Sequence, residues 1–291
     1  MILNKLLNKV NRIKKFDQLF DFMIYNWNII KYNLIMFNKI KNKINKIENI
    51  SEKNIFIILF KLINSDYKNI LDYIYLPFCY NQKYSNFMLG FIFFKFNFFE
   101  MATKYFKKDL DKFSNFMLYK ITNDEMYLIS SLKQNCYFAK TEAFVKNYNK
   151  GIINMYLINS GVKKHDVSSI YWKGRVIYET GGYKEGYILM AEAYNLYSEI
   201  AGLFIYDELT NGTRITQNIC EARKILFSLC ERKNKKAYEI MAFILLNENQ
   251  QEIADDLLLY LYDCSYNLLN IGNKLKIINH NMADLFLNKS S

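Results

Sequence analysis

Two histidines and five cysteines are the residues with which this 291-residue chain could hold a metal ion or build a nucleophile. His165 falls in a polar stretch and His280 near the C-terminus, while Cys79, Cys136, Cys220, Cys230 and Cys264 are widely spaced and form no C-x-x-C pair. A zinc site gathers about four ligands, usually from closely paired positions. No such pairing exists here, so no metal and no cofactor are expected, and both histidines read as surface residues. A Cys–His nucleophile would need partners that meet in space, and no residue points to one. The thiols read as dormant and reduced, which suits an intracellular protein, cytoplasmic before nuclear, because the number is odd and no secretory signal is evident.

Other chemistry is equally sparse. The acidic pairs Asp207-Glu208 and Asp255-Asp256 lie inside helical patterns, where adjacent residues point about 100° apart and form no dyad. Neither the glycine-rich phosphate cradles nor the G-x-S-x-G elbow occurs. The run Gly181-Gly182-Tyr183-Lys184-Glu185-Gly186 is dense in glycine, but it reads as the turn between paired helices. An enzyme and a small-molecule substrate are not expected.

The elements that would position these residues are helices. Half the chain is apolar by type, at 51%, while only one proline and ten glycines punctuate it, which leaves few places for tight β-turns. The abundance of Tyr and Phe reads as core packing in a compositionally biased chain.

Residues 1–50 carry ten cationic side chains against three carboxylates, so +7 of the chain's formal +11 resides there. Leu3, Leu6, Val10, Ile13, Phe20, Met23, Trp27 and Leu34 alternate spacings near three and four, which predicts one or two amphipathic helices with a basic opposite face. Ile40, Ile44, Ile47 and Ile50 continue the stripe. Ser51 then opens a dense apolar element, and Asp66 is a candidate N-cap for a helix that Leu76-Pro77 would end. Residues 84–99 are the most apolar stretch, but they are shorter than the roughly 20 residues of a membrane span and contain Asn86, Lys95 and Asn97. Further helices are predicted at 126–132, 137–148, 151–161 with Gly161 as its end, and 167–179 closed by Thr180-Gly181-Gly182. Residues 201–246 read as helix, polar turn at Thr210-Asn211-Gly212, helix from about Asn218, break at 232–236, and a third helix.

An internal period runs through this series. Ser85-Asn86-Phe87-Met88-Leu89 reappears 29 residues later as Ser114-Asn115-Phe116-Met117-Leu118. Small residues within helical runs occur at Ala102, Ser131, Ala191, Ala222 and Ala254, at intervals of 29, 60, 31 and 32. Small residues let one helix approach another closely, so the recurrence has a packing cause.

Ala201, Gly212, Ala222 and Ala237, at offsets of 0, 11, 21 and 36, together with Tyr178, Gly181 and Ala191 in the unit before, resemble the Sel-one-like branch of tetratricopeptide-type repeats. The resemblance is best over 168–259. The usual Leu-Gly pair is replaced by Ile205-Tyr206, Gly174 sits one position off, Glu248 stands where a turn glycine belongs, and Ala254 arrives early. The resemblance implies an all-α fold, an α-solenoid of antiparallel helix pairs acting as a scaffold for protein–protein contact; with the charge pattern, the expected organisation is a basic helical extension at 1–50 and a helical-repeat domain over 51–291. Tyr171, Arg175, Tyr178, Tyr206 and Tyr238, on first helices, are the expected contacts for a partner peptide or helix on the inner face. The alternative is a basic factor binding RNA or a ribonucleoprotein through Lys5, Lys9, Arg12, Lys14, Lys15, Lys39, Lys41, Lys43 and Lys46. An anionic membrane surface is the least favoured partner for the same helices.

Overall fold

A computed structural model describes residues 2–13, 15–63, 85–278 and 280–290. The described residues form nineteen α-helices and no strand. Cys79 and the expected cap at Asp66 with its helix lie outside the described residues. Contacts gather into two compact units, residues 1–198 and 199–291.

The first unit begins with α1 (Ile2–Arg12), α2 (Phe16–Tyr25), α3 (Trp27–Tyr32), α4 (Leu34–Asn45) and α5 (Ile50–Ile63). It continues with α6 (Ser85–Lys95), α7 (Phe99–Phe106), α8 (Lys112–Thr122), α9 (Glu125–Lys133), α10 (Tyr137–Tyr148), α11 (Tyr156–Lys163), α12 (Val167–Glu179) and α13 (Tyr183–Asn195). The second holds α14 (Glu199–Asn211), α15 (Ile219–Glu231), α16 (Lys235–Asn247), α17 (Gln251–Asp263), α18 (Leu268–Ile277) and α19 (Ala283–Ser290). Residues 1–35, expected as one or two helices, hold three. Leu6, Val10, Ile13, Phe20 and Met23 are buried as their spacing predicts, whereas Leu34 and Ile50 are exposed. The N-terminal helices pack within the first unit: Phe20 meets Phe87 edge-on at 5.8 Å, and Tyr25 lies 4.9 Å from both Tyr137 and Phe138.

Many helix starts and stops have a local cause. Asp111, Asp124 and Asp166 accept backbone N–H bonds at the starts of α8, α9 and α12, and Asn33, Asn218 and Asn234 do so for α4, α15 and α16. A short polar side chain there satisfies donors that the first turn leaves orphaned. At the ends, Asn97, Asn135, Gly151, His165, Gly181, Tyr197, Lys233, Asn249 and Ser265 all take positive φ. Each sits inside the same pair of bonds, as where His165 N–H donates to Val162 O and Asp166 N–H to Gly161 O, or Asn249 N–H to Leu246 O and Gln250 N–H to Leu245 O. This is the Schellman closure, normally built on glycine. With few glycines available the chain uses Asn most often, the non-glycine residue that tolerates the left-handed region best.

Two expectations change as a result. Gly161 does not end a helix; it is buried inside α11, where a Cβ would lie 2.1 Å from Ser169 Oγ, and His165 makes the left-handed exit instead. Similarly, Glu248 is no substitute for a turn glycine, because the left-handed residue is its neighbour Asn249.

The closures impose a cadence. The helices α12, α13, α14, α15, α16 and α17 each span 13 residues and begin at 167, 183, 199, 219, 235 and 251. Starts are therefore 16 residues apart except where the longer 212–218 connection intervenes. Among these helices the pairs α12–α13, α14–α15 and α16–α17 pack most closely, as antiparallel hairpins. In the α12–α13 hairpin a Cβ on Gly186 would stand 2.5 Å from Tyr178 N and 2.6 Å from Gly174 O, so the backbones themselves touch. Gly186 is thus a helix-contact residue rather than part of the turn. Of the small-residue series, Ala102, Ser131, Ala222 and Ala254 are buried, but in α13 the buried alanine is Ala193 and not Ala191. The stripe Gly186, Met190, Ala193 recurs every three to four residues and leaves Ala191 on its flank.

Candidate functional site

The first unit contains a cavity of about 370 Å³ assembled from four elements of the chain. The C-terminal turn of α1 supplies Lys9 and Arg12. The helix α2 supplies Gln18, Asp21, Phe22 and Tyr25. The exit between α11 and α12 supplies Lys164, His165 and Asp166, with Tyr137 of α10 closing the wall. The left-handed backbone at His165 and the close approach of Gly161 to Ser169 fix that turn against the start of α12. Tyr25 is tied to the α10 start, its hydroxyl accepting Tyr137 N–H at 3.3 Å.

Charge in this cavity is unbalanced. Asp21 is paired with Lys112, and Asp166, buried, accepts Ser169 N–H at 2.8 Å as the cap of α12. Burial pushes the Asp166 carboxyl above its usual range. By contrast, the cations Lys9, Arg12 and Lys164 have no ion-pair partner among the described residues; Lys9 lies over the Phe22 ring at 5.8 Å. Burial lowers the Lys9 ammonium pKa, and Lys164 lowers it further. Burial lowers His165 as well, followed by Lys5 and Lys9, with Glu192 acting the other way.

No protein-family model matches the sequence, and no curated protein does.

The five expected partner contacts do not form a surface. Tyr171 and Tyr178 are 1% and 0% exposed, and Tyr206 is also buried. Arg175 is spent locally, donating from Nη1 to the Tyr171 hydroxyl at 2.9 Å and from Nε to Glu179 at 2.8 Å. Tyr238 is half-buried edge-on against Tyr260. The physical reason is that α12 is covered on more than one side: Ser169, Ile170, Tyr171, Gly174, Val176 and Tyr178 are all buried. Of the basic set, Lys5, Lys9, Arg12, Lys15, Lys41 and Lys46 are exposed and Lys39 and Lys43 intermediate, while Lys14 lies outside the described residues. Only Lys9 and Arg12 of that set line the cavity.

In the second unit a groove of about 500 Å³ follows the seam between α15 and α16. Its floor is apolar, from Phe227, Met241 and Ile244, and Phe227 is 60% exposed. Arg223 pairs with Glu248 across the rim. Phe227 was not marked by the sequence pattern because α15 buries Ala222, Ile225, Leu226 and Leu229, and an aromatic on the opposite face breaks amphipathicity. Nearby, Glu239 is 1% exposed and bonded by Lys236 at 3.0 Å and Lys274 at 2.7 Å. Burial opposes its ionisation, but these two bonds outweigh it and hold its carboxyl below the usual range.

The remaining reactive residues are placed individually. Cys136 and Cys230 are buried, Cys220 exposed and Cys264 intermediate, all free. His280 is not a surface residue: its side chain is 6% exposed, with Nε2 3.1 Å from Asp255 Oδ1 and Nδ1 accepting Met282 N–H at 3.3 Å. Among the described residues no group of three or more His, Cys, Asp or Glu could hold a metal, and no helix is long and apolar enough to cross a membrane.

Proposed function

We propose that this protein is a non-enzymatic helical-repeat scaffold of Sel-one-like or tetratricopeptide character that binds a segment of another protein. The observation that carries this is the cadence over 167–263, in which six 13-residue helices recur at 16-residue steps broken once by the 212–218 connection, and five of the six end in a Schellman exit. A recurring hairpin of this size buries its apolar face only by packing on its neighbours, the economy of α-solenoids. Such hairpins present grooves at their seams, and the α15–α16 seam offers an exposed aromatic over an apolar floor, the composition of a binding hot spot. The occupant is an amphipathic peptide or helix whose apolar side chains cover Phe227, Met241 and Ile244 and whose polar edge meets the Arg223–Glu248 rim.

The test places a photoreactive residue at position 224 of the full chain, beside Phe227, in extract from the native cell. A defined partner that crosslinks to the wild-type background, is lost on Phe227→Asp, and is retained on Ile277→Asp supports the seam. Ile277 is 81% exposed on α18 and controls for general stickiness. Equal capture by both variants, or none by either, contradicts it.

A further inference from the structure

The cationic cavity of the first unit has no role in the scaffold reading, and three independent features give it a ligand class. The first is charge: Lys9, Arg12 and Lys164 converge on one concave site beside the His165 imidazole, and its two carboxylates are occupied by Lys112 and by the cap of α12. Like charges crowded into one concavity repel, and an anion bound there relieves the repulsion. The second is shape: about 370 Å³ lies at the low end for small-molecule sites and is too small for a folded partner. The third is the remaining lining, where Tyr25 and Tyr137 offer apolar faces, the Phe22 ring underlies Lys9, and Asp21 keeps Oδ1 buried without a hydrogen-bond partner. That oxygen can accept a hydroxyl or amine proton.

We propose that this cavity binds a small organic phosphate carrying a hydroxyl or amino group, of the class of sugar phosphates and nucleoside monophosphates. The phosphoryl oxygens lie among Lys9, Arg12, Lys164 and His165, with the Arg12 fork giving the bidentate contact that a lysine cannot. The organic remainder covers Tyr25 and Tyr137 and donates to Asp21. The site relies on residues 9–13, 18–26, 137 and 164–166, which are far apart in sequence, so no local motif announces it.

The test is titration calorimetry on the full chain with adenosine 5′-monophosphate and ribose 5-phosphate, at constant ionic strength, with sulfate and a short single-stranded RNA as comparison ligands. Saturable binding of at least one phosphate is expected, weakened tenfold or more by Arg12→Gln and by Lys164→Gln, and only partly by Arg12→Lys. A purely structural role for Lys164 is distinguished by melting without ligand. Removing one cation from a repelling set should leave the melting temperature of Lys164→Gln at or above wild type in low salt, whereas loss of a structural contact lowers it. The proposal is overturned if neither phosphate binds saturably, if both glutamine variants bind as wild type does, if sulfate binds as tightly as the phosphates, or if only RNA binds.

Discussion

Substituting Gly186 by alanine probes the packing on which the α12–α13 hairpin depends. The added Cβ would meet Tyr178 N at 2.5 Å and Gly174 O at 2.6 Å, against the roughly 3.5 to 4 Å of a comfortable contact. Both obstacles are backbone atoms in regular helices, so neither can rotate away and the two helices must separate by about 1 Å. Overpacking of this kind costs about 1 to 3 kcal/mol. Alanine returns about 1 kcal/mol of helix propensity relative to glycine. Separation also loosens Tyr178, now fully buried, so the net loss should be about 1 to 2 kcal/mol. Chemical denaturation of the full chain, followed by circular dichroism, should show an earlier transition for the variant. Gly174→Ala should act alike, and the double variant should lose less than the sum, because one separation accommodates both methyl groups. Gly272→Ala provides the contrast: its nearest obstacles are side-chain atoms of Leu287, so the change should stay within about 1 kcal/mol. If Gly186→Ala proved as stable as wild type or more so, the backbones would not be in contact there.

Three further perturbations act through charge and backbone conformation. Asp111, pushed up to about 6 by burial despite capping α8, favours the folded state most below its ordinary value of 3.8 and loses that contribution as pH rises through 6. Asp111→Asn keeps an acceptor for Phe113 and Ser114 without the charge, so melting curves should show a gain over wild type at pH 7 that disappears near pH 4, while Asp111→Ala should lose about 1 kcal/mol through the missing cap. Glu239, held below its usual 4.5, stabilises the second unit above that value and less as pH falls beneath it. Glu239→Gln should lower stability at pH 7 by about 1 to 3 kcal/mol, the usual 3 to 5 for a broken buried pair being reduced because Lys236 and Lys274 keep solvent access, and it should flatten the acid limb of the stability–pH profile. Lys233→Gly relieves a side chain held at φ 60°, and thermal melting should rise by an amount worth up to about 1 kcal/mol.

Much of the secondary structure was legible because its signals are local. The helix Val167–Glu179 with its Thr180-Gly181-Gly182 turn, and α14, α15 and α16 around Gly212 and Arg232, follow apolar periodicity bounded by recognisable caps. The left-handed exits at Tyr197, Lys233 and Ser265 were not legible, since the paired closing bonds impose that conformation on residues whose own preference is against it. The facing of α12 was also missed. A repeat register assigns tyrosines to an open face, but the register carries no information about how many neighbours cover the helix, and Tyr171 and Tyr178 are enclosed. His280 illustrates the same limit, for its burial against Asp255 joins two elements 25 residues apart. The cationic cavity was half visible: Lys9 and Arg12 stood out as basic, but their meeting with Lys164 and His165 is tertiary.

The scaffold reading stands on the 16-residue cadence, and backbone chemical shifts and HN–Hα couplings over 167–263 of the full chain measure it most directly. The account predicts 13-residue helical blocks interrupted by single positive-φ signatures at Gly181, Tyr197, Gly212, Lys233 and Asn249. Helical values running unbroken through two or more of those positions would contradict it.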